Sequence, residues 1–442
     1  MGLFFVLFVI IVLIIFSLKR NNYEVISPCF LFLMPFLLSL FFTIYNIDKW
    51  SVDLSEKTTL VIFLGLVSFV IGTMMLRRKN TVNIKYKEIT NYVSTPKLLI
   101  WLIIQIFILF ITYRVYSSLV GTSDIKIIMN SIRSETFKGS DGIIIPGYIS
   151  LMTSFSLMSG LFTSLMVGYS LVTKFIGRYK FLILSFLNYT ISILIFLLGG
   201  SRGGMYILLV SLFISFFTFY YKKSQWTKKI KFRYIAIAAI IVFISLYEFK
   251  NFALLMGKDY VANMDSSDYL SIYIGAQIKN LDCGLSWDYE SEVFGKETFR
   301  TFVQFFNGLF GDKKYADYNL FLPFNYVNGY DMGNVYTTFF PFYLDFGYLG
   351  VVILSFFMGL ISQFVYNKMK TSENPINLYS VVYGFIGYAL FFSFFSDKFY
   401  EEIISVNFIR FFMIIIILYG YFSCLHIKLS NYDISYKTKS IN

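Results

Sequence analysis

The chain has 442 residues, of which 57% are apolar and 14% charged, and its mean hydropathy is +0.66. One soluble core cannot hide that much apolar surface, so an ordinary soluble enzyme and a disordered chain are both excluded. The composition points to a polytopic, all-α integral membrane protein, a single membrane domain over 1–442, and the formal charge of +12 has to be read from where the basic residues fall.

In chain order, eleven runs are apolar for long enough to cross a bilayer: 2–18, 27–45, 58–76, 98–120, 146–173, 179–198, 204–221, 234–250, 335–366, 377–396 and 403–425. The first is read as a retained span, because Met1–Phe16 has no basic region before it and no small-residue cleavage site after it. The connections alternate in charge. Lys19, Arg20, Arg77–Lys79, Lys174, Arg178, Lys222, Lys223, Lys368 and Lys370 belong to one set of connections, which with the tail carries 22 Lys+Arg against four acids. By the positive-inside rule that set is cytoplasmic, so the net charge is an orientation signal and calls for no nucleic acid. Odd parity then puts the N-terminus outside and the C-terminus inside.

Parity places 46–57, 121–145, 199–203, 251–334 and 397–402 on the outer side, where function is to be sought. The long outer loop 251–334 is too long to be structureless. Within it, "FRTFVQFFNGLF" sets Phe299, Phe302, Val303, Phe306, Leu309 and Phe310 at helical spacing, predicting a helix lying in the interface or packed on the spans.

The stretch "LLGGSRGGMYIL", 197–208, joins two apolar runs with almost no loop. As one helix the pair would reach roughly 60 Å, about twice the ~30 Å hydrocarbon core, so the chain turns at Arg202. Arginine makes forked, permanently charged bonds to phosphate oxygens, and several together hold a pyrophosphate without a metal. Gly200, Gly203 and Gly204 would let backbone amides approach such an anion, helped by the dipole of the helix opening at Gly203. The alternative is a snorkelling Arg202 with the glycines as small-xxx-small packing. The other outer arginines are Arg114, Arg133, Arg300 and Arg410, near the acids Asp345, Asp397, Glu401 and Glu402. Arg410 and Asp345 fall within spans, where ionisable groups are costly; they are either functional or an internal pair that fixes helix packing. The sole histidine, His426, is at the cytoplasmic end, which removes a histidine base or metal ligand from the outer face.

The "GGSRGG" step resembles the glycine-arginine segment of the bacterial oligosaccharide repeat-unit polymerases, the O-antigen and capsular polysaccharide polymerase family. "GNVYTTFFPFYLDFGYLGVV", 333–352, is similar to that family's stretch at the end of its long outer loop, with Asn334, Tyr336, Thr337, Asp345, Gly347 and Gly350 in the expected order. "YIGAQIKNLD" and "FGKETF" also resemble its outer loop. The resemblance implies a glycosyltransferase-type polymerase that joins undecaprenyl-pyrophosphate-linked repeat units at the outer leaflet, without nucleotide, cofactor or metal. Arg202, Arg133, Arg300 and Arg410 would then grip the donor pyrophosphate, and Asp345, Glu401 or Glu402 would take the acceptor's proton. A chain-length regulator and a flippase would be partners. The alternatives are a lipid-linked oligosaccharide flippase, which should show repeated halves, and a related envelope ligase, whose outer histidine has no counterpart here.

Overall fold

The computed structural model describes residues 1–76, 84, 86–89, 92–136, 143–200, 202–227, 247–258, 261–287, 295–310 and 322–424. Eight helices come first: α1 (Gly2–Arg20), α2 (Pro28–Tyr45), α3 (Glu56–Met75), α4 (Thr95–Val120), α5 (Ile125–Thr136), α6 (Gly147–Val172), α7 (Arg178–Leu198) and α8 (Gly203–Lys223). Then follow α9 (Phe249–Leu255), α10 (Ser266–Leu285), α11 (Arg300–Phe310), the strands β1 (Asn325–Val327) and β2 (Tyr330–Gly333), α12 (Phe339–Thr371), α13 (Leu378–Phe391) and α14 (Val406–Tyr419). The fold is nearly all-α; the exception is the β1–β2 hairpin, whose Asn328-Gly329 corner has the positive φ at both residues that a tight two-residue turn demands.

Among the described residues nine helices are long and apolar enough to cross a membrane, which fits a polytopic membrane protein. Their surfaces carry the physical argument. In α1, Leu3, Val6, Ile10 and Ile14 form the buried stripe, while Phe4, Phe5, Phe8, Ile11, Val12, Ile15 and Phe16 face outward. Similar outward apolar faces run along α4 and α7. Aliphatic and aromatic faces of that extent are stable against lipid, not water. The interior is built differently: α6 is buried along most of its length and rich in small residues, and Ser164 Oγ meets Ser211 Oγ of α8 at 2.8 Å.

Two of the expected spans change shape. The run 335–366 is broken by Gly347, at φ 62° and ψ −153°, into segments 339–346 and 348–371, so Asp345 stands on a short arm before the continuous span. The run 377–396 is helical only over Leu378–Phe391, because the chain turns at Phe392, whose carbonyl accepts from Phe395 and Ser396. Of the expected span 234–250 only 247–250 are among the described residues, and His426 lies outside them.

The connections sort into two ends. At the basic end Lys370 Nζ lies 2.6 Å from Glu24 Oε1, Lys222 is bonded to the Ser372 carbonyl, and Lys87 lies 3.9 Å from Glu373. At the loop end the 46–55 connection is tied to α10 by Lys49–Asp268 at 2.5 Å and by Asp282, which accepts from Ser55 and Thr58. There α10 packs into the bundle against α2, where Thr43 donates to the Gly275 carbonyl at 2.8 Å, and does not lie on the surface.

Candidate functional site

The glycine turn is built by three local facts. Gly199 caps α7, Gly200 takes the left-handed conformation at φ +66°, and Arg202 caps α8 with its carbonyl accepting from Tyr206. A Cβ on Gly200 would lie 2.2 Å from the Met129 carbonyl and 2.7 Å from Arg133 Cβ, so α5 lies across the turn and delivers Arg133 to it. Gly204 is covered by the Phe196 ring of α7. The contacts of Gly200 and Gly204 are thus with protein, and what the turn presents is the side chain of Arg202.

That side chain points at the long outer connection. Arg202 Nη2 donates to the Tyr273 hydroxyl at 3.1 Å, and its guanidinium stacks over the rings of Tyr273 and Phe249 at 5.1 and 5.6 Å. Lys258 Nζ donates to the same hydroxyl at 3.0 Å. Lys258 is 2% exposed, and it is held there by the turn after α9, where Gly257 at φ +75° abuts Asn130 and Lys126 of α5. Neither Arg202 nor Lys258 meets a carboxylate among the described residues, and Arg202 Nη1 is buried with no hydrogen-bond partner there. The electrostatics follow. Burial, with the positive charges of Arg202 and Arg133 nearby, pushes Lys258 down to about 8 against the opposing pull of Tyr273. For Tyr273, burial pushes up, but Arg202 and Lys258 outweigh it and bring the phenol down to about 7.

A second cluster lies beside it on the 392–405 connection, linked through Tyr206, Phe392 and Tyr388, whose successive ring centroids are 5.1 and 5.0 Å apart, and through Phe395 stacked on Tyr273. Lys398 Nζ is 2.8 Å from Glu401 and 3.8 Å from Glu402, while Arg300 bridges Glu297 at 2.9 Å and Glu401 at 3.8 Å. The two adjacent carboxylates therefore differ. Burial raises Glu401, but Lys398 and Arg300 together hold it below the ordinary range. Burial raises Glu402 to about 7, since the more distant Lys398 opposes it only in part and Glu401 adds repulsion. Asp397, 3% exposed, is pushed well above the usual carboxylate value by burial and by Glu401, although Tyr400 N–H and the Thr338 hydroxyl donate to its Oδ1.

The residues singled out from sequence divide between these clusters and elsewhere. Arg133 and Arg202 come together at the glycine turn; Arg300, Glu401 and Glu402 come together at the second cluster. Asp345 accepts the backbone N–H groups of Glu297 and Thr298 at 3.2 and 2.7 Å and so fixes the entry to α11. Arg410 is exposed, reaches Ser150 Oγ at 3.4 Å, and does not pair with Asp345. Arg114 is exposed on α4. Sequence reasoning missed Lys258 and Tyr273; the available signal was Tyr269 and Tyr273 at i,i+4 on a polar-striped helix, which period alone does not aim at Arg202.

Compared with family models, with curated proteins and with solved structures, the chain matches none.

Proposed function

We propose that this protein is a polysaccharide polymerase that joins lipid-pyrophosphate-linked oligosaccharide repeat units at the outer face of a bacterial cytoplasmic membrane, with the loop end outward. The observation that carries the reading is the pair Arg202 and Lys258, converging on one phenolic oxygen without a carboxylate partner among the described residues. Converging cationic donors suit a pyrophosphate, and Arg133 adds to their field. Arg300 is engaged by Glu297 and Glu401, which makes it a support for the second cluster. Glu402 is the base of choice, because a carboxylate that titrates near neutrality both accepts a proton and is ionised when needed.

In this mechanism Glu402 takes the proton of the acceptor sugar hydroxyl as its oxygen bonds to the donor's anomeric carbon. The bond from that carbon to the pyrophosphate oxygen breaks, and its electron pair leaves on the lipid pyrophosphate. Arg202 and Lys258 stabilise that leaving charge in a site shielded from water, where such stabilisation counts most.

The test is the length distribution of lipid-linked glycans in cells with the gene deleted, restored, or restored as Arg202→Ala at matched abundance. Single units accumulating on the outer leaflet after deletion, with Arg202→Ala failing to restore long chains, is the expected result. Single units accumulating on the cytoplasmic leaflet would make the protein a flippase, and unchanged lengths would end both readings.

A further inference from the structure

The cationic cluster already holds an oxygen of the protein itself. The Tyr273 oxygen receives one hydrogen bond from Arg202 and one from Lys258, at 3.1 and 3.0 Å, the pattern two cations would make to one phosphate oxygen. We propose that the Tyr273 hydroxyl is a resident stand-in for a phosphate oxygen, held by Arg202 and Lys258 until the pyrophosphate of a lipid-linked donor displaces it. This rests on the anion-site reading above and deepens it by naming what occupies the site at rest.

The geometry carries the argument. Burying Lys258 and the Arg202 guanidinium without a counter-charge is costly, and a phenolic oxygen shared between them lowers that cost while no substrate is present. Tyr273 is placed for the task by stacking on Phe395, by a tilted contact with Tyr269 and by meeting Phe249 edge-on, so its ring stays in position when its oxygen is released. The buried Arg202 Nη1, without a hydrogen-bond partner among the described residues, gives an incoming anion a donor that Tyr273 does not use. Among the described residues the charged and titratable groups facing the phenol are Arg202 from the turn, Lys258 from the segment after α9, Tyr206 from α8 and Tyr269 from α10, with Arg133 of α5 acting on Lys258; these include no acid. At rest the cations favour the ionised phenol. An arriving pyrophosphate neutralises them, and the phenolate then takes a proton from solvent.

The experiment uses the full chain in detergent micelles with inorganic pyrophosphate as probe, about one pH unit above the Tyr273 value of about 7. Tyrosinate absorbance is recorded alongside binding for the wild type, Tyr273→Phe and Lys258→Ala. The wild type should show a tyrosinate band that fades saturably as pyrophosphate binds. Tyr273→Phe should lack the band and bind pyrophosphate as tightly or a few-fold more tightly, since the competing oxygen is gone. Lys258→Ala should bind about tenfold or more weakly, having lost a charged hydrogen bond. If pyrophosphate binds but the band is absent or unchanged, the stand-in role is overturned and the anion site stands. If pyrophosphate binds to none of the three proteins, the anion site itself falls and the stand-in falls with it.

Discussion

Two clusters, one at each end of the bundle, treat buried positive charge in opposite ways. At the basic end Lys370 is matched by Glu24 at 2.6 Å, Glu24 also accepts from Tyr366, and Trp226 covers the ammonium at 4.3 Å. At the loop end Arg202 and Lys258 share the Tyr273 phenol and meet no carboxylate among the described residues. A matched charge is a structural device, because removing either partner leaves the other buried and uncompensated. Cations left without acids form a site that an anion can complete.

The comparison can be broken or sharpened by substitution. The largest expected effect on the fold is at the matched pair: Lys370→Met strands the Glu24 carboxylate and should cost about 3 kcal/mol or more, read as lost membrane abundance and a lowered Tm. Next, Arg202→Ala should lower polymerisation by about 100-fold, a loss typical of one missing transition-state donor, with abundance unchanged. If abundance falls and activity per molecule does not, the two ends are alike and the comparison fails. Gly200→Ala should cost roughly 1–3 kcal/mol, because the left-handed backbone is strained for alanine and the Met129 carbonyl blocks the added methyl. Activity and stability should fall together in that variant, unlike the Arg202 change.

Glu402→Gln separates chemistry from stability through pH. Its folded value of about 7 is raised above the ordinary carboxylate value, so the folded protein holds this proton more tightly than the unfolded chain does. That contribution is fully present below about pH 4.5 and is lost as pH rises to about 7. Over this window the wild-type Tm should fall relative to that of Glu402→Gln. Activity should instead rise through pH 7 in the wild type and be lost in the variant; an unchanged pH profile would remove Glu402 as the base. The smallest effect belongs to Arg410→Gln. The side chain is exposed and bonded only at 3.4 Å, so stability should change by no more than about 0.5 kcal/mol, with polymerisation intact.

Apolar run length and the alternation of charge were enough to establish many membrane-compatible helices and to sort the connections into two ends, because both signals are local along the chain. The same local logic placed the turn at Arg202 and the helix at 300–310. The break at Gly347 and the early end of α13 were hidden, since the runs stay apolar through both; apolar length reports solvent preference and not backbone direction. Lys258 and Tyr273 were hidden for another reason: Tyr273 meets Arg202 from 71 residues away, and no period in either segment records that distance. The difference between Glu401 and Glu402 is likewise tertiary, set by which carboxylate Lys398 and Arg300 reach. The sequence by itself determined the class of protein and the end at which to look, because hydropathy and charge act residue by residue. Which charges meet an acid and which do not was settled by the packing of distant segments, because Coulomb interaction and burial depend on distances in space.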